Sequence, residues 1–213
     1  MGSCGGSGDP QSIPTPSTQK AVVFVHGGGW ISRPTTGTTP ANADGLKTLV
    51  EASGYKYIAI TYPIATDTYK SFPDAHKSVK EQLAQIKREY SKVYVVASSA
   101  GANVAALAIL EDSTIADKFA GFYGVYDIPS MDSGFNTTYS DKYTNDYVSA
   151  SPDLIGQLPI PSSFWHGGSD ILVPSSQSVN YSSGTAIIES GQGHSYNIAS
   201  VSGTTLMAFL NAP

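Results

Sequence analysis

The segment VYVVASSAGANVAALA, residues 93–108, passes from a β-branched run through a knot of small residues into an alanine-rich helical pattern. A serine set at such a strand-to-helix junction is raised above a sheet, and it becomes a nucleophile when a neighbouring base takes its proton. Spacing chooses between the two serines. Centred on Ser99, the crowded positions two before and two after are Ala97 and Gly101, both small; centred on Ser98, the first would be Val96, which is too bulky. Ser99 is therefore the candidate nucleophile, with Ala97 standing where glycine is usual.

Two further groups belong with it. The run His26-Gly27-Gly28-Gly29-Trp30 follows the first apolar stretch. Such a glycine-rich loop lets backbone N–H groups approach a developing oxyanion closely. A phosphate-binding loop would open directly into a helix, and Trp30, Ile31 and Pro34 argue against that. Of the four histidines, His26 and His166 sit in glycine-rich motifs, His76 falls on a helical pattern, and His194 lies in the Gly-flanked string GQGHS. His194 is the candidate base.

At these motifs the chain resembles the α/β-hydrolase superfamily, and within it the serine esterases of the hormone-sensitive-lipase-like type that carry an HGGGW loop. The resemblance implies that Gly28, Gly29 and Ala100 supply the oxyanion-hole amides, that Trp30 contributes to substrate binding, and that His26 holds its loop in place. It also implies the chain order nucleophile, acid, histidine. The string WHGGSDILVP, residues 165–174, is similar to the family's HGxxDxxVP segment and assigns the acid to Asp170. Asp127, which ends the preceding strand, is the rival acid, at a position some hydrolases use.

These residues need a scaffold that delivers them to one rim. Short apolar runs at 20–28, 55–63, 92–98, 118–127, 162–168 and 185–191 have strand length and composition. Several are apolar on both faces, as strands of a covered parallel sheet are. Helices are expected at 42–52, 74–90, 100–111 and 198–211; in the second, Ala75, Val79, Leu83, Ile86 and Tyr90 form one apolar stripe. The expectation is an α/β-hydrolase fold with a mostly parallel sheet of about six strands, helices on both faces and a reduced or absent cap. Ligands bind such sheets beyond the carboxyl ends of the strands, where the candidate residues fall. Residues 1–19 read as a Gly/Ser/Pro-rich flexible leader, 20–213 as a single catalytic domain, and 128–161 as a lid, binding loop or small helical insertion. Within that insertion Tyr139, Tyr143 and Tyr147 fit either an aromatic sugar platform or one face of a packed helix.

Composition excludes other classes. The net charge is −5, with 14% charged residues and no basic run, which argues against nucleic acid or an anionic membrane surface. No apolar stretch is long enough to span a bilayer. One cysteine, Cys4, excludes an internal disulfide and a cysteine zinc cage, and neither a metal nor a cofactor is expected. Cys4-Gly-Gly-Ser-Gly resembles the lipidated start of a bacterial lipoprotein, or is an arbitrary leader with a free thiol. A secreted or cell-envelope location is favoured over a cytoplasmic one.

The expected activity is hydrolysis of short-chain carboxylic esters through an acyl-enzyme, with acetyl or feruloyl groups on carbohydrate as candidate substrates. One alternative is amide hydrolysis, since kynurenine formamidases resemble the chain in pairing an HGG-x-W loop with the same three residues. Another is a silent hydrolase fold used as a binding module, which commonly lacks one of the three.

Overall fold

The computed structural model describes residues 17–35 and 40–213. Cys4 and most of the leader lie outside the described residues. Six strands form one parallel sheet in the order β2-β1-β3-β4-β5-β6. They are β1 (Ser17–Val25), β2 (Lys56–Ile60), β3 (Tyr90–Ser98), β4 (Lys118–Phe122), β5 (Ser162–Gly167) and β6 (Ile187–Glu189). The six expected strands are the six observed, with shifted ends. β1 stops three residues earlier than expected, before the glycine loop, and β4 stops at Phe122 because Tyr123 takes φ 40°, which no strand continues.

The sheet is apolar on both faces, and alternation along each strand divides its side chains between two cores. Val23, Val25, Val93, Val95 and Ala97 face one layer, where α2 (Asp74–Glu89) contributes Ala75, Val79 and Leu83, and α3 (Ala100–Glu111) lies alongside. Val22, Phe24, Tyr94 and Val96 face the other, where α1 (Leu46–Ala52) contributes Leu46 and Val50, and the C-terminal helix Ile198–Asn211 contributes Leu206 and Leu210. Each fully buried side chain of this size stabilises the fold by about 1.5–3 kcal/mol. The expected helix at 42–52 is split: Gly45 adopts φ 76° between a short 3₁₀ turn, Ala41–Ala43, and α1.

Residues 128–161 form short helical turns rather than a capping domain, at Ser133–Phe135, Asn136–Ser140, Asp141–Tyr143 and Pro152–Ile155. This insertion is tied to α3, which is buried almost throughout. Asn103 donates from Nδ2 to the Ala150 carbonyl at 2.9 Å and accepts at Oδ1 from the Tyr143 hydroxyl at 3.3 Å. Its three tyrosines differ in setting. Tyr143 is fully buried, Tyr147 is half-buried and packed against the core, and Tyr139 stands on the wall of the site cavity.

Candidate active site

Ser99 sits between β3 and α3 with φ 52° and ψ −128°, a strained conformation for a residue with a side chain. Two contacts hold it there. Its N–H donates to the Phe122 carbonyl at 2.9 Å, and Gly101 lets α3 pass so close to β1 that a Cβ there would lie 2.2 Å from the His26 carbonyl oxygen. Ala97 is accommodated within the first core with no exposure.

Three side chains from separate elements meet in one line. Ser99 Oγ lies 3.0 Å from His194 Nε2, and His194 Nδ1 lies 2.7 Å from Asp170 Oδ2. The carboxylate fixes the tautomer: Nδ1–H donates to Asp170, so Nε2 is left to accept a hydrogen bond from the Ser99 hydroxyl. The Asp170 side chain is fully buried and fully engaged. Its Oδ1 accepts from the backbone N–H groups of Leu172 and Val173 at 3.0 and 2.9 Å, and its Oδ2 also lies 3.2 Å from His166 Nε2. Burial alone would raise its pKa, but the hydrogen bonds from His166, His194 and the Val173 amide outweigh this and hold the carboxyl well below the usual range.

Asp127 is elsewhere. Its carboxylate accepts from the Ser130 N–H, closing a turn after β4, and its backbone is held by Gln177, whose Oε1 accepts from the amides of Tyr126 and Asp127. The remaining histidines are fixed within the scaffold. His26 contacts the Gly27 carbonyl and the Thr61 hydroxyl and stacks on Tyr62. His166 contacts the Ser178 hydroxyl and the Val173 carbonyl, while His76 on α2 faces Glu111.

The glycine loop bends over the serine. Gly28 and Gly29 take φ 113° and 59°, and the loop closes on itself as Ile31 and Ser32 donate backbone N–H groups to the Gly28 carbonyl. Gly28, Gly29 and Ala100 line the same cleft as Ser99 and His194, and among the described residues their amides donate to no protein acceptor. The cleft has a volume of about 370 Å³ and apolar walls that include Val125, Phe135, Tyr139 and Leu172.

One expectation is corrected here. Trp30 does not face the cleft. It is fully buried, stacked on Tyr143 with ring centroids 4.5 Å apart and edge-on to Phe135. An indole continues the apolar core beneath the loop, so its role is to clamp the glycine loop to the insertion rather than to touch substrate.

Sequence reasoning missed the support beneath the serine. Asn42 Nδ2 donates to Ser98 Oγ at 3.1 Å and to the Tyr123 hydroxyl at 2.8 Å, and the Tyr123 ring meets His194 edge-on at 5.1 Å. Nothing local distinguishes Asn42 from a helix-start residue or Tyr123 from a strand residue. Ser98, the serine rejected on spacing, is fully buried in this network. Among the described residues, no group of three or more His, Cys, Asp or Glu side chains could hold a metal ion, and no helix is long and apolar enough to cross a membrane.

Solved structures share this architecture at low sequence identity. The acetyl ester-xyloside bifunctional hydrolase from Caldicellulosiruptor lactoaceticus is similar over 93% of this chain and 84% of its own, at 15% identity and a TM-score of 0.71. Carboxyl esterase 2 of the mycorrhizal fungus Tuber melanosporum is similar over 94% and 76%, at 15% identity and a TM-score of 0.67. A carboxylesterase from Lactobacillus plantarum is similar over 84% and 74%, at 14% identity and a TM-score of 0.65. No curated protein matches the chain. The model of one family, BD-FAE, matches residues 12–184, most of the sequence, and the chain belongs to the BD-FAE family.

Proposed function

We propose that this chain is a serine hydrolase that cleaves carboxylic esters through an acyl-enzyme on Ser99. The observation that carries the reading is the line from Ser99 Oγ to His194 Nε2, 3.0 Å, and from His194 Nδ1 to Asp170 Oδ2, 2.7 Å, at the edge of a cleft. In this reading His194 takes the hydroxyl proton as Ser99 attacks the ester carbonyl, and Asp170 stabilises the imidazolium. The charge on the carbonyl oxygen is met by the amides of Gly28, Gly29 and Ala100, each such donor contributing about 3 kcal/mol. Collapse expels the alkoxide, which receives the proton from His194; water then repeats the cycle and releases the acid.

The short insertion leaves a modest cleft, which favours a small acyl group or one carried on a large alcohol. Similarity to a carboxyl esterase and to an acetyl ester-xyloside bifunctional hydrolase supports acetyl esters of carbohydrates as the first substrates to examine. Labelling with a fluorophosphonate and mapping of the modified peptide tests the reading. Expected is modification at Ser99, with hydrolysis of a p-nitrophenyl acetate lost in Ser99→Ala and retained in Ser98→Ala. Labelling at another residue, or activity surviving in Ser99→Ala, overturns it. Faster turnover of N-formylkynurenine than of any ester would replace the ester by an amide.

A further inference from the structure

Ser99 lines two cavities that differ in one respect: the first carries aromatic side chains and the second carries an arginine. The first is the cleft already described, with Phe135, Tyr139 and Leu172 on its walls. The second, of about 380 Å³, opens on the other side of Gly28, Ser32 and Ser195 and is lined by Arg33, Asn42 and Pro40 among others. Ser99 lines both, so the two halves of one ester can occupy them at once.

Arg33 sets the character of the second cavity. It is exposed, and among the described residues it has no ion pair and no hydrogen-bonding partner. No carboxylate and no other Lys or Arg lines either cavity among the described residues, in a chain of net charge −5. The neighbouring amide of Asn42 is already committed to Ser98 and Tyr123. The guanidinium is thus the free charged donor beside the serine, and a planar fork of N–H groups suits a carboxylate. Its charge also reaches His26, where it adds to the effect of burial in disfavouring the protonated ring.

We infer that Arg33 is a specificity determinant for an anionic ester: the second cavity takes a carboxylate-bearing half of the substrate, and the aromatic cleft takes the apolar half. This rests on the reading of Ser99 as an ester-cleaving nucleophile. The carboxylate can belong to the alcohol or to the acyl group, and matched acid and amide substrates separate the two. One pair is meta-acetoxybenzoate and its amide, which place the charge on the alcohol. The other is monomethyl terephthalate and its amide, which place it on the acyl group.

Expected is a preference of about tenfold in kcat/KM for the acid over the amide in one pair, the size of one screened charge-assisted contact. The preference falls toward unity in Arg33→Gln, survives in part in Arg33→Lys, and weakens with added salt. Circular dichroism and thermal unfolding establish that each variant is folded. A ratio near unity in the wild type for both pairs, with the amides hydrolysed, overturns the inference and leaves the ester-hydrolase reading standing. An acid preference unchanged in Arg33→Gln overturns it likewise. No hydrolysis of any of the four, with no fluorophosphonate labelling of Ser99, overturns both.

Discussion

Asp170 holds His194 through a single oxygen, Oδ2 at 2.7 Å from Nδ1, while its other oxygen is taken by two backbone amides. The carboxylate is fully buried yet never without a donor, so its charge is fixed in place and the imidazole can turn neither away from nor past the serine.

That arrangement makes a pH prediction with a definite sign. Asp170 is held below the usual carboxylate range in the folded chain, so it adds stability at pH values above about 3.9, its unfolded value, and the addition is lost as pH falls further. The urea midpoint of the wild type should exceed that of Asp170→Asn by a constant amount from neutral pH down to about 4, with the gap closing below. Ester hydrolysis by Asp170→Asn should fall by about three to four orders of magnitude, because the amide favours the wrong imidazole tautomer.

Asn42 acts at one remove. Asn42→Ala leaves the buried Ser98 hydroxyl without its donor and frees the Tyr123 ring that supports His194. A loss of about 1–2 kcal/mol in urea unfolding is expected, the cost of an orphaned buried polar group. In kinetics kcat should fall several-fold on p-nitrophenyl acetate, since His194 loses its ring support while the aromatic cleft keeps its lining. Tyr123→Phe keeps the ring edge against His194 and should retain most of kcat, which separates ring support from the hydroxyl's hydrogen bonds.

How far the sequence carried this site depends on how local each signal is. Ser99 and the glycine loop were legible because a strained turn and a close backbone approach demand small residues at fixed spacing. α2 was legible because a single apolar stripe faces one core, and α3 because it follows the serine turn directly. Trp30 was misread because its neighbours in the chain are site residues, whereas its partners, Tyr143 and Phe135, lie more than a hundred residues away. Asn42 and Tyr123 left no local signal, since their importance lies in a contact between the 3₁₀ turn Ala41–Ala43 and the residue that follows β4. The break in the first helix follows from the left-handed Gly45, which the apolar periodicity conceals.

Acid should loosen the fold through two other histidines. Burial lowers the pKa of His26, with the Gly27 carbonyl opposing and Arg33 adding to the effect. Burial does the same to His76, opposed by Glu111 and aided by Lys77 and Lys80. Each folded-state value lies below the unfolded value of about 6.5, so their contribution is complete above that pH and is lost as pH falls toward the lowered values. The urea midpoint should decline from pH 7 to pH 5, and His76→Leu should decline less steeply. An equal slope in the two proteins would assign the decline to other groups.

The close pass of α3 over β1 makes the last prediction a comparison of two glycines. A Cβ at Gly101 would stand 2.2 Å from the His26 carbonyl oxygen and 2.6 Å from that of Val25, both backbone atoms that cannot swing aside. At Gly54 a Cβ would meet nothing within 4 Å, and only the φ of +85° opposes it. Gly54→Ala should therefore cost about 1–2 kcal/mol, the penalty of a left-handed residue with a side chain. Gly101→Ala should cost about 3 kcal/mol or more, because α3 must lift from the sheet and carry the Ser99 turn with it. Urea unfolding of both variants gives the ranking, and hydrolysis at equal folded concentration gives the second readout. Gly54→Ala should keep its activity, since α1 and β2 meet far from the cleft. Gly101→Ala should lose it even where the chain remains folded, as the hydroxyl would no longer lie within reach of His194.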